Sequence, residues 1–286
     1  MSTVSELFQQ GKSFLRSSAQ PAIETKLLLL KCTGLSKEKL LACPDRPVSK
    51  REERQFLKLI ARRQAGIPIS YLIGQKEFWS MPLVVKSGVF IPRPETELIV
   101  EKVLELDANN DPNNEKIVVD IGTGCGNIAL ALAKERQQYR IIGTDISLKA
   151  LKVAEFNAGR LGMKNVEFVR GSLFKPLAGL GVEGKCDFIV SNPPYVTEAE
   201  WVKMPAEIKN YEPKKALVAG ERGLEFIEKL VAGVRRFLKP GGWLLVEIGQ
   251  GQKEAVLLLF GEGWESKTSY NDLAGIPRVV AVKSEG

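Results

Sequence analysis

From Lys116 onward, short apolar runs alternate with longer amphipathic ones, and this alternation leaves few folds open. "KIVVDIG", "YRIIGTDI", "NVEFVRGS", "CDFIVSN" and "WLLVEIG" have the length and β-branched content of strands. "GNIALALAKER", "SLKALKVAEFNAG" and "GLEFIEKLVAGVRRFL" carry helical periodicity and are interspersed among them. A parallel partner strand is reached only through a crossover, so this rhythm predicts an α/β fold: a mostly parallel sheet with helices on both faces. The closing stretch, "WESKTSYNDLAGIPRVVAVKS", reads as two further strands forming an antiparallel pair. "DANNDPNNEK" reads as a polar linker ahead of the first strand.

The N-terminal quarter has a different pattern. Ser49-Lys-Arg-Glu52 forms a capping box that opens a helix through Phe56, Leu59, Ile60 and Arg63, ended by Gly66 and Pro68. Upstream, Pro21 suits a first helical position, Ile23, Leu27 and Leu30 form one face, and Gly34 follows the helix end. Short connections between such helices predict a small bundle. Next, "EFWSMPLVVKSGVFIP" is strand-like but interrupted by Pro82 and by Ser87-Gly88, as in a hairpin joining two domains. The expected division is a helical domain at 1–75, a β-hairpin linker at 76–92 and the α/β domain at 93–286.

Composition excludes several chemistries. The chain has no histidine, which removes the commonest general base and every Ser-His-Asp or Cys-His arrangement. Cys32, Cys43, Cys125 and Cys186 form no C-x-x-C pair, so no metal site is expected. No apolar run has membrane-spanning length and the first residues lack a leader pattern, so the expectation is a cytoplasmic protein without membrane contact. The net charge of +7 is unevenly placed. Residues 1–80 hold 14 lysines and arginines against 7 acids, whereas the remaining 206 residues hold 27 of each. Solvated helix faces account for such an excess, and so does docking on an acidic partner, either nucleic acid or protein.

Three motifs carry chemistry. "VVDIGTGCGN" places Gly122, Gly124 and Gly126 between an apolar strand and a helix, where glycines allow a tight turn and close approach of a ligand. A dinucleotide loop would need a further glycine where Asn127 stands. The Asp120-x-Gly122-x-Gly124-x-Gly126 spacing instead resembles the S-adenosylmethionine loop of class I methyltransferases. Asp145 ends the next strand 21 residues after Gly124, where a carboxylate can accept from both hydroxyls of a ribose, although Asp also caps helices. "RGSLF" is the expected adenine neighbourhood. "SNPPY" at Ser191–Tyr195 ends the fourth strand. As punctuation, Asn-Pro simply stops a strand. As chemistry, Asn-Pro-Pro-Tyr resembles the motif of methyltransferases acting on planar amino nitrogens. The lone pair of such a nitrogen is delocalised into the adjacent π-system. The Asn192 side-chain oxygen and the Pro193 carbonyl could accept its two N–H bonds and aim the lone pair at a methyl donor. Pro194 would stiffen the loop and Tyr195 could stack on the planar group. The nitrogen turns acidic as it is methylated, so no imidazole is required.

"GVFIPRPETELIVEKVL", "YEPKKALVAGERGLEFIEKL" and "LLVEIGQGQ" resemble the release-factor glutamine methyltransferases, the HemK/PrmC family, over about Tyr71 to Val282. The resemblance implies a Rossmann-like class I methyltransferase domain with a seven-stranded, mostly parallel sheet, preceded by a helical domain that contacts the substrate. It implies methyl transfer from S-adenosylmethionine, leaving S-adenosylhomocysteine, to the N5 side-chain nitrogen of the glutamine in the Gly-Gly-Gln loop of class 1 peptide-release factors, with no nucleic acid required. Carried over by position, the cofactor contacts would be Gly122, Thr123, Gly124, Cys125, Gly126, Asp145, Leu173 and Asn192, with Thr96 near the methionine end. Thr96 could equally cap the helix after it. Catalytic and substrate contacts would be Asn192, Pro193, Pro194 and Tyr195. Cys125 replaces a more usual small hydroxyl residue, and Ser172 and Leu173 stand where an acid and an aromatic are common. For Glu212 in "YEP", a role in shaping the pocket and a structural salt bridge are equally open. Methylation of a nucleobase amino group poses the same lone-pair problem, and a non-catalytic binding protein on this fold is a third reading.

Overall fold

The computed structural model describes residues 1–108 and 114–285, so the middle of the expected "DANNDPNNEK" linker lies outside the described residues. The chain divides into two compact units, Met1–Gln75 with Pro205–Tyr211, and Lys76–Met204 with Glu212–Gly286. Among the described residues no helix is long and apolar enough to cross a membrane.

The first unit is helical. It contains α1 (Val4–Phe14), α2 (Pro21–Thr33), α3 (Lys37–Ala42), α4 (Lys50–Gln64) and α5 (Ile69–Ile73). Capping boxes open α1 at Thr3 and α4 at Ser49, Pro21 stands in the first turn of α2, and left-handed Gly34 ends it. Val4, Leu7, Leu28, Leu29, Phe56, Ile60 and Leu72 make the core. The buried face of α2 differs from the expectation: Ile23 is 56% exposed, while Glu24, Thr25, Leu28 and Leu29 point inward. Four consecutive leucines permit overlapping stripes, and Glu24 decides between them by receiving Arg63 Nε and Nη2 at 2.9 Å each. Arg63 Nη1 also reaches Glu207 Oε2 at 2.8 Å, and Tyr211 donates to the Ala65 carbonyl at 3.1 Å. These bonds attach Pro205–Tyr211 to the bundle.

A short hairpin follows, β1 (Gln75–Phe78) and β2 (Met81–Val84). Its turn is at Trp79 and Ser80, with φ of 51° and 54°, and at neither of the interruptions seen in the sequence, Pro82 and Ser87-Gly88. Non-glycine residues rarely hold both left-handed positions of a two-residue turn. Here the Trp79 backbone N–H donates to Glu97 Oε1 at 2.7 Å and the indole N–H to Glu135 Oε1 at 2.8 Å.

In the second unit, α6 (Glu97–Leu106) precedes β3 (Ile117–Ile121), α7 (Asn127–Glu135), β4 (Arg140–Asp145), α8 (Leu148–Leu161) and β5 (Val166–Arg170). After β6 (Cys186–Ser191) come β7 (Val196–Thr197), α9 (Glu198–Lys203) and, within the first unit, α10 (Ala206–Tyr211). The chain closes with β8 (Val218–Gly220), α11 (Glu225–Val234), β9 (Leu238–Glu247), α12 (Lys253–Leu258), β10 (Trp264–Asn271) and β11 (Pro277–Ser284). The seven-stranded sheet has the order β10-β11-β9-β6-β3-β4-β5. Strands β5, β4, β3, β6 and β9 run parallel, and β11 is antiparallel to both β9 and β10. Successive crossovers go one way from β3 and then return to β6 on its other side. The helices after β3 and β6 therefore diverge, leaving a crevice at the carboxyl ends of these two strands. A small parallel pair, β7 with β8, was not anticipated from the sequence.

Candidate active site

The glycine turn follows β3 with φ of 78°, 59° and 86° at Gly122, Gly124 and Gly126. The three glycines have different reasons to be there. A Cβ on Gly122 or Gly124 would meet no atom within 4 Å, so both face open space. On Gly126 it would meet Leu130 Cδ1 at 3.0 Å and Ala154 Cβ at 3.2 Å, so this glycine is needed for packing. The turn is held from behind. Asp120 Oδ2 accepts from the Thr123 hydroxyl at 2.7 Å and from the Ala129 N–H at 3.2 Å. The Gly124 N–H donates to Asp145 Oδ2 at 3.0 Å, and the Ser147 N–H to Asp145 Oδ1 at 2.8 Å.

Asp120 is fully buried, which pushes its pKa up to about 7, and its Oδ1 has no partner among the described residues. Burial also raises Asp145.

In front of the turn lies a cavity of about 560 Å³. Of the expected site residues, Gly122, Gly124, Asp145, Leu173, Asn192 and Pro194 line it. Thr123, Cys125, Gly126, Pro193, Tyr195 and Thr96 are not among its lining residues. Leu173 holds a left-handed backbone, φ 50°, beside Ser172 on the same wall. Ile146, Phe90 and Phe226 add apolar surface that the motifs did not announce. A nucleoside carrying an amino-acid chain fits this lining. Open glycine backbone faces it, a strand-end carboxylate stands at its edge, and apolar side chains supply flat contact.

Asn192 follows β6 directly, and Ser191 fixes that strand end by donating its hydroxyl to the Ile121 carbonyl at 2.7 Å. Asn192 Nδ2 donates to Thr96 Oγ1 at 2.9 Å. Thr96 is wholly buried behind Asn192 and makes no capping bond to α6, so its hydroxyl serves the Asn192 side instead of the helix end. Tyr195 is pinned at three points. Its N–H donates to the Leu217 carbonyl at 3.1 Å, its carbonyl accepts from Gln252 Nε2 at 3.0 Å, and its hydroxyl donates to Glu247 Oε1 at 3.2 Å. Gln252 is itself oriented by the Gly249 N–H at 2.8 Å. Glu212 takes the Arg93 Nη2 at 2.6 Å and the Ile91 N–H at 3.2 Å. That geometry favours the salt-bridge reading of this residue, anchoring the "IPRPET" segment.

Sequence reasoning missed three residues. Asn157 on α8 donates to the Cys125 carbonyl at 3.0 Å and exchanges bonds with the Val84 backbone, N–H to Oδ1 at 2.8 Å and Nδ2 to O at 3.1 Å. Gln252 and Glu247 are the others. A signal existed for Asn157, a polar residue on the apolar stripe Ala150, Val153, Ala154 and Ala158. Glu247 also had one, since it closes an apolar strand just as Asp120 and Asp145 do.

Crevice, glycine turn and strand-end acids together define a class I methyltransferase. A methyltransferase-domain family model matches residues 112–279, and one for the PrmC N-terminal domain matches residues 6–74. A methyltransferase crystal structure from Pyrococcus furiosus superposes with a TM-score of 0.53 over 79% of this chain and all of that one; at 20% identity this likeness concerns the fold alone. A release factor glutamine methyltransferase of Koribacter versatilis is 38% identical over 97% of both chains. One from Vibrio cholerae is 39% identical over 92% of this chain and 89% of its own. The chain belongs to the release factor glutamine methyltransferase family.

Proposed function

We propose that this chain transfers a methyl group from S-adenosylmethionine to the side-chain amide nitrogen of the glutamine in the Gly-Gly-Gln motif of class 1 peptide-release factors. One observation carries the reading. With Asn192 Nδ2 committed to Thr96, its Oδ1 is the amide atom left to the cavity, which is the orientation an incoming N–H requires. A donor facing outward would instead repel the substrate amide.

Gly122 and Gly124 would hold the cofactor through open backbone, Asp145 would accept from its ribose hydroxyls, and Leu173 would lie beside its base. When bound, S-adenosylmethionine supplies a methyl group made electrophilic by its sulfonium. The protein's own part is orientation and charge. Asn192 Oδ1 and the Pro193 carbonyl accept the two N–H bonds of the glutamine amide, directing its lone pair toward the cofactor side. As the nitrogen gains positive charge, both acceptors bind it more strongly, so they lower the barrier rather than merely tighten binding. Tyr195, fixed at its N–H, carbonyl and hydroxyl, offers its ring to the planar amide. A proton leaving the methylated nitrogen needs only a weak base, consistent with a chain that has no histidine.

Recognition of the protein substrate is assigned to the bundle. Along α4, Arg51, Arg54, Lys58 and Arg62 are exposed, and among the described residues none is in an ion pair. Their spacing puts Arg54, Lys58 and Arg62 on one helix face, a positive stripe suited to an acidic surface.

The function is tested by incubating a release factor or total RNA with the enzyme and labelled cofactor, then mapping the product by mass spectrometry. A gain of one methyl (about 14 Da) on the Gly-Gly-Gln glutamine is expected. Label on RNA alone would replace this reading with that of a nucleobase enzyme. The cofactor assignment has its own test. Asp145→Ala should weaken S-adenosylmethionine binding by about 1–3 kcal/mol, the scale for hydrogen bonds involving a charged group. Unchanged affinity by calorimetry would remove Asp145 from the site.

A further inference from the structure

We propose that Gln252 is a positioning residue for methyl transfer: its side-chain amide clamps the backbone carbonyl of Tyr195 and so sets where the Tyr195 ring meets the substrate amide. The inference rests on the proposed function, in which that ring is offered to the planar glutamine amide.

Gln252 closes the stretch "LLVEIGQGQ", in which its near neighbour Gln250 is exposed. It stands at the N-cap of α12, where glutamine is not among the preferred residues, and its side chain makes no capping bond there. The amide instead joins three other segments. Nε2 donates to the Tyr195 carbonyl after β6 at 3.0 Å and to the Gly223 carbonyl before α11 at 3.3 Å. Oε1 accepts from the Gly249 N–H after β9 at 2.8 Å. Two acceptors lie at one end of the side chain and a donor at the other, so an amide fits here in one orientation. A carboxylate would turn a further acceptor toward two carbonyls, and an aliphatic side chain would offer them nothing.

The neighbouring backbone is shaped to admit this bridge. A Cβ on Gly223 would come within 2.5 Å of the Tyr195 carbonyl oxygen and 2.8 Å of Gln252 Nε2. On Gly249 it would come within 2.9 Å of Gln252 Oε1 and 3.2 Å of Tyr195 Cδ2. Gly223 also holds a left-handed backbone, φ 75°, whereas Gly249 does not, so close approach to Gln252 and Tyr195 is the constraint that Gly249 answers. With Leu217 holding the Tyr195 N–H and Glu247 its hydroxyl, Gln252 completes the grip at the carbonyl. Gln252 does not line the cavity in front of the glycine turn, so its effect belongs to the loop and not to the cofactor.

Gln252→Glu is the sharpest probe, since it keeps the shape and the acceptor for Gly249 but drives the Tyr195 carbonyl away. With release factor as substrate and saturating cofactor, kcat should fall about 10- to 100-fold, the scale for a small misplacement of positioned groups. Affinity for S-adenosylmethionine should stay within about twofold of wild type, as for a substitution outside its site. A double-mutant cycle with Tyr195→Ala then separates positioning from mere support. Acting through Tyr195, Gln252→Glu should cost no more than about threefold further once the ring is gone, because residues in one network are not additive. A purely structural role predicts that the two losses multiply. Wild-type kcat in Gln252→Glu overturns the inference, as does a loss that multiplies in full with that of Tyr195→Ala. Should Gln252→Glu fail to fold, the neutral Gln252→Met takes its place in the same cycle. A lower kcat that disappears in the Tyr195→Ala background then supports the inference, and an unchanged or fully multiplied one overturns it. Tyr195→Ala alone distinguishes the two levels. If it keeps wild-type kcat, the reading of the Tyr195 ring fails and the inference with it; if it is slow while Gln252→Glu is normal, only the role of Gln252 fails.

Discussion

Asn192→Ala should slow methyl transfer by about 100-fold or more, because it removes an acceptor whose bond to the reacting nitrogen strengthens as positive charge develops. The geometry sharpens this expectation. Asn192 is not a free side chain that a neighbour could replace. It follows β6 directly, its strand end is tied to β3 by Ser191, and its amide is held by Thr96 at 2.9 Å. On the proposed reading, alanine would leave the Pro193 carbonyl as the remaining acceptor and let water into the gap. The effect belongs on the chemical step, so single-turnover rates at saturating cofactor are the measurement to make. A near-wild-type rate would show that the motif serves shape rather than catalysis.

Reversing the α4 stripe should produce the second large effect, and a selective one. With Arg51, Arg54, Lys58 and Arg62 all changed to Glu, kcat/KM for intact release factor should fall about tenfold or more at low salt, since charge complementarity acts mainly on encounter. A short Gly-Gly-Gln peptide should change by no more than about twofold, the scale of an exposed substitution remote from the chemistry. These side chains are exposed and unpaired among the described residues, so the bundle core of Leu28, Leu29, Phe56 and Ile60 remains intact. Raising salt from about 50 to 300 mM shortens the screening length from roughly 14 to 6 Å and should shrink the difference between wild type and variant. Equal losses on protein and peptide would mean that the stripe supports the fold or the cofactor site and does not recognise the partner.

What the sequence determined by itself is the local and the periodic. Strand and helix alternation from Lys116 predicts the parallel sheet because its periods are intrinsic to the backbone. Ser49, Pro21 and Gly34 marked helix ends since capping acts within a few residues. The glycine turn, Asp145 and Asn-Pro-Pro-Tyr were legible because each is a short motif at a strand end. The tertiary structure decided what depends on partners distant in the chain. Glu24 turned α2 toward Arg63, 39 residues away, against the stripe that Ile23 suggested. Glu97 and Glu135 hold the Trp79-Ser80 turn, so the hairpin closes where no glycine announced it. Thr96, read as a contact for the methionine end or as a helix cap, became the partner of Asn192, 96 residues on, and Glu247 became the acceptor for the Tyr195 hydroxyl, 52 residues before it. A hydrogen bond's direction depends on what every neighbouring group donates or accepts, and those neighbours are assembled only when the sheet brings β6, β9 and the segment before α6 together.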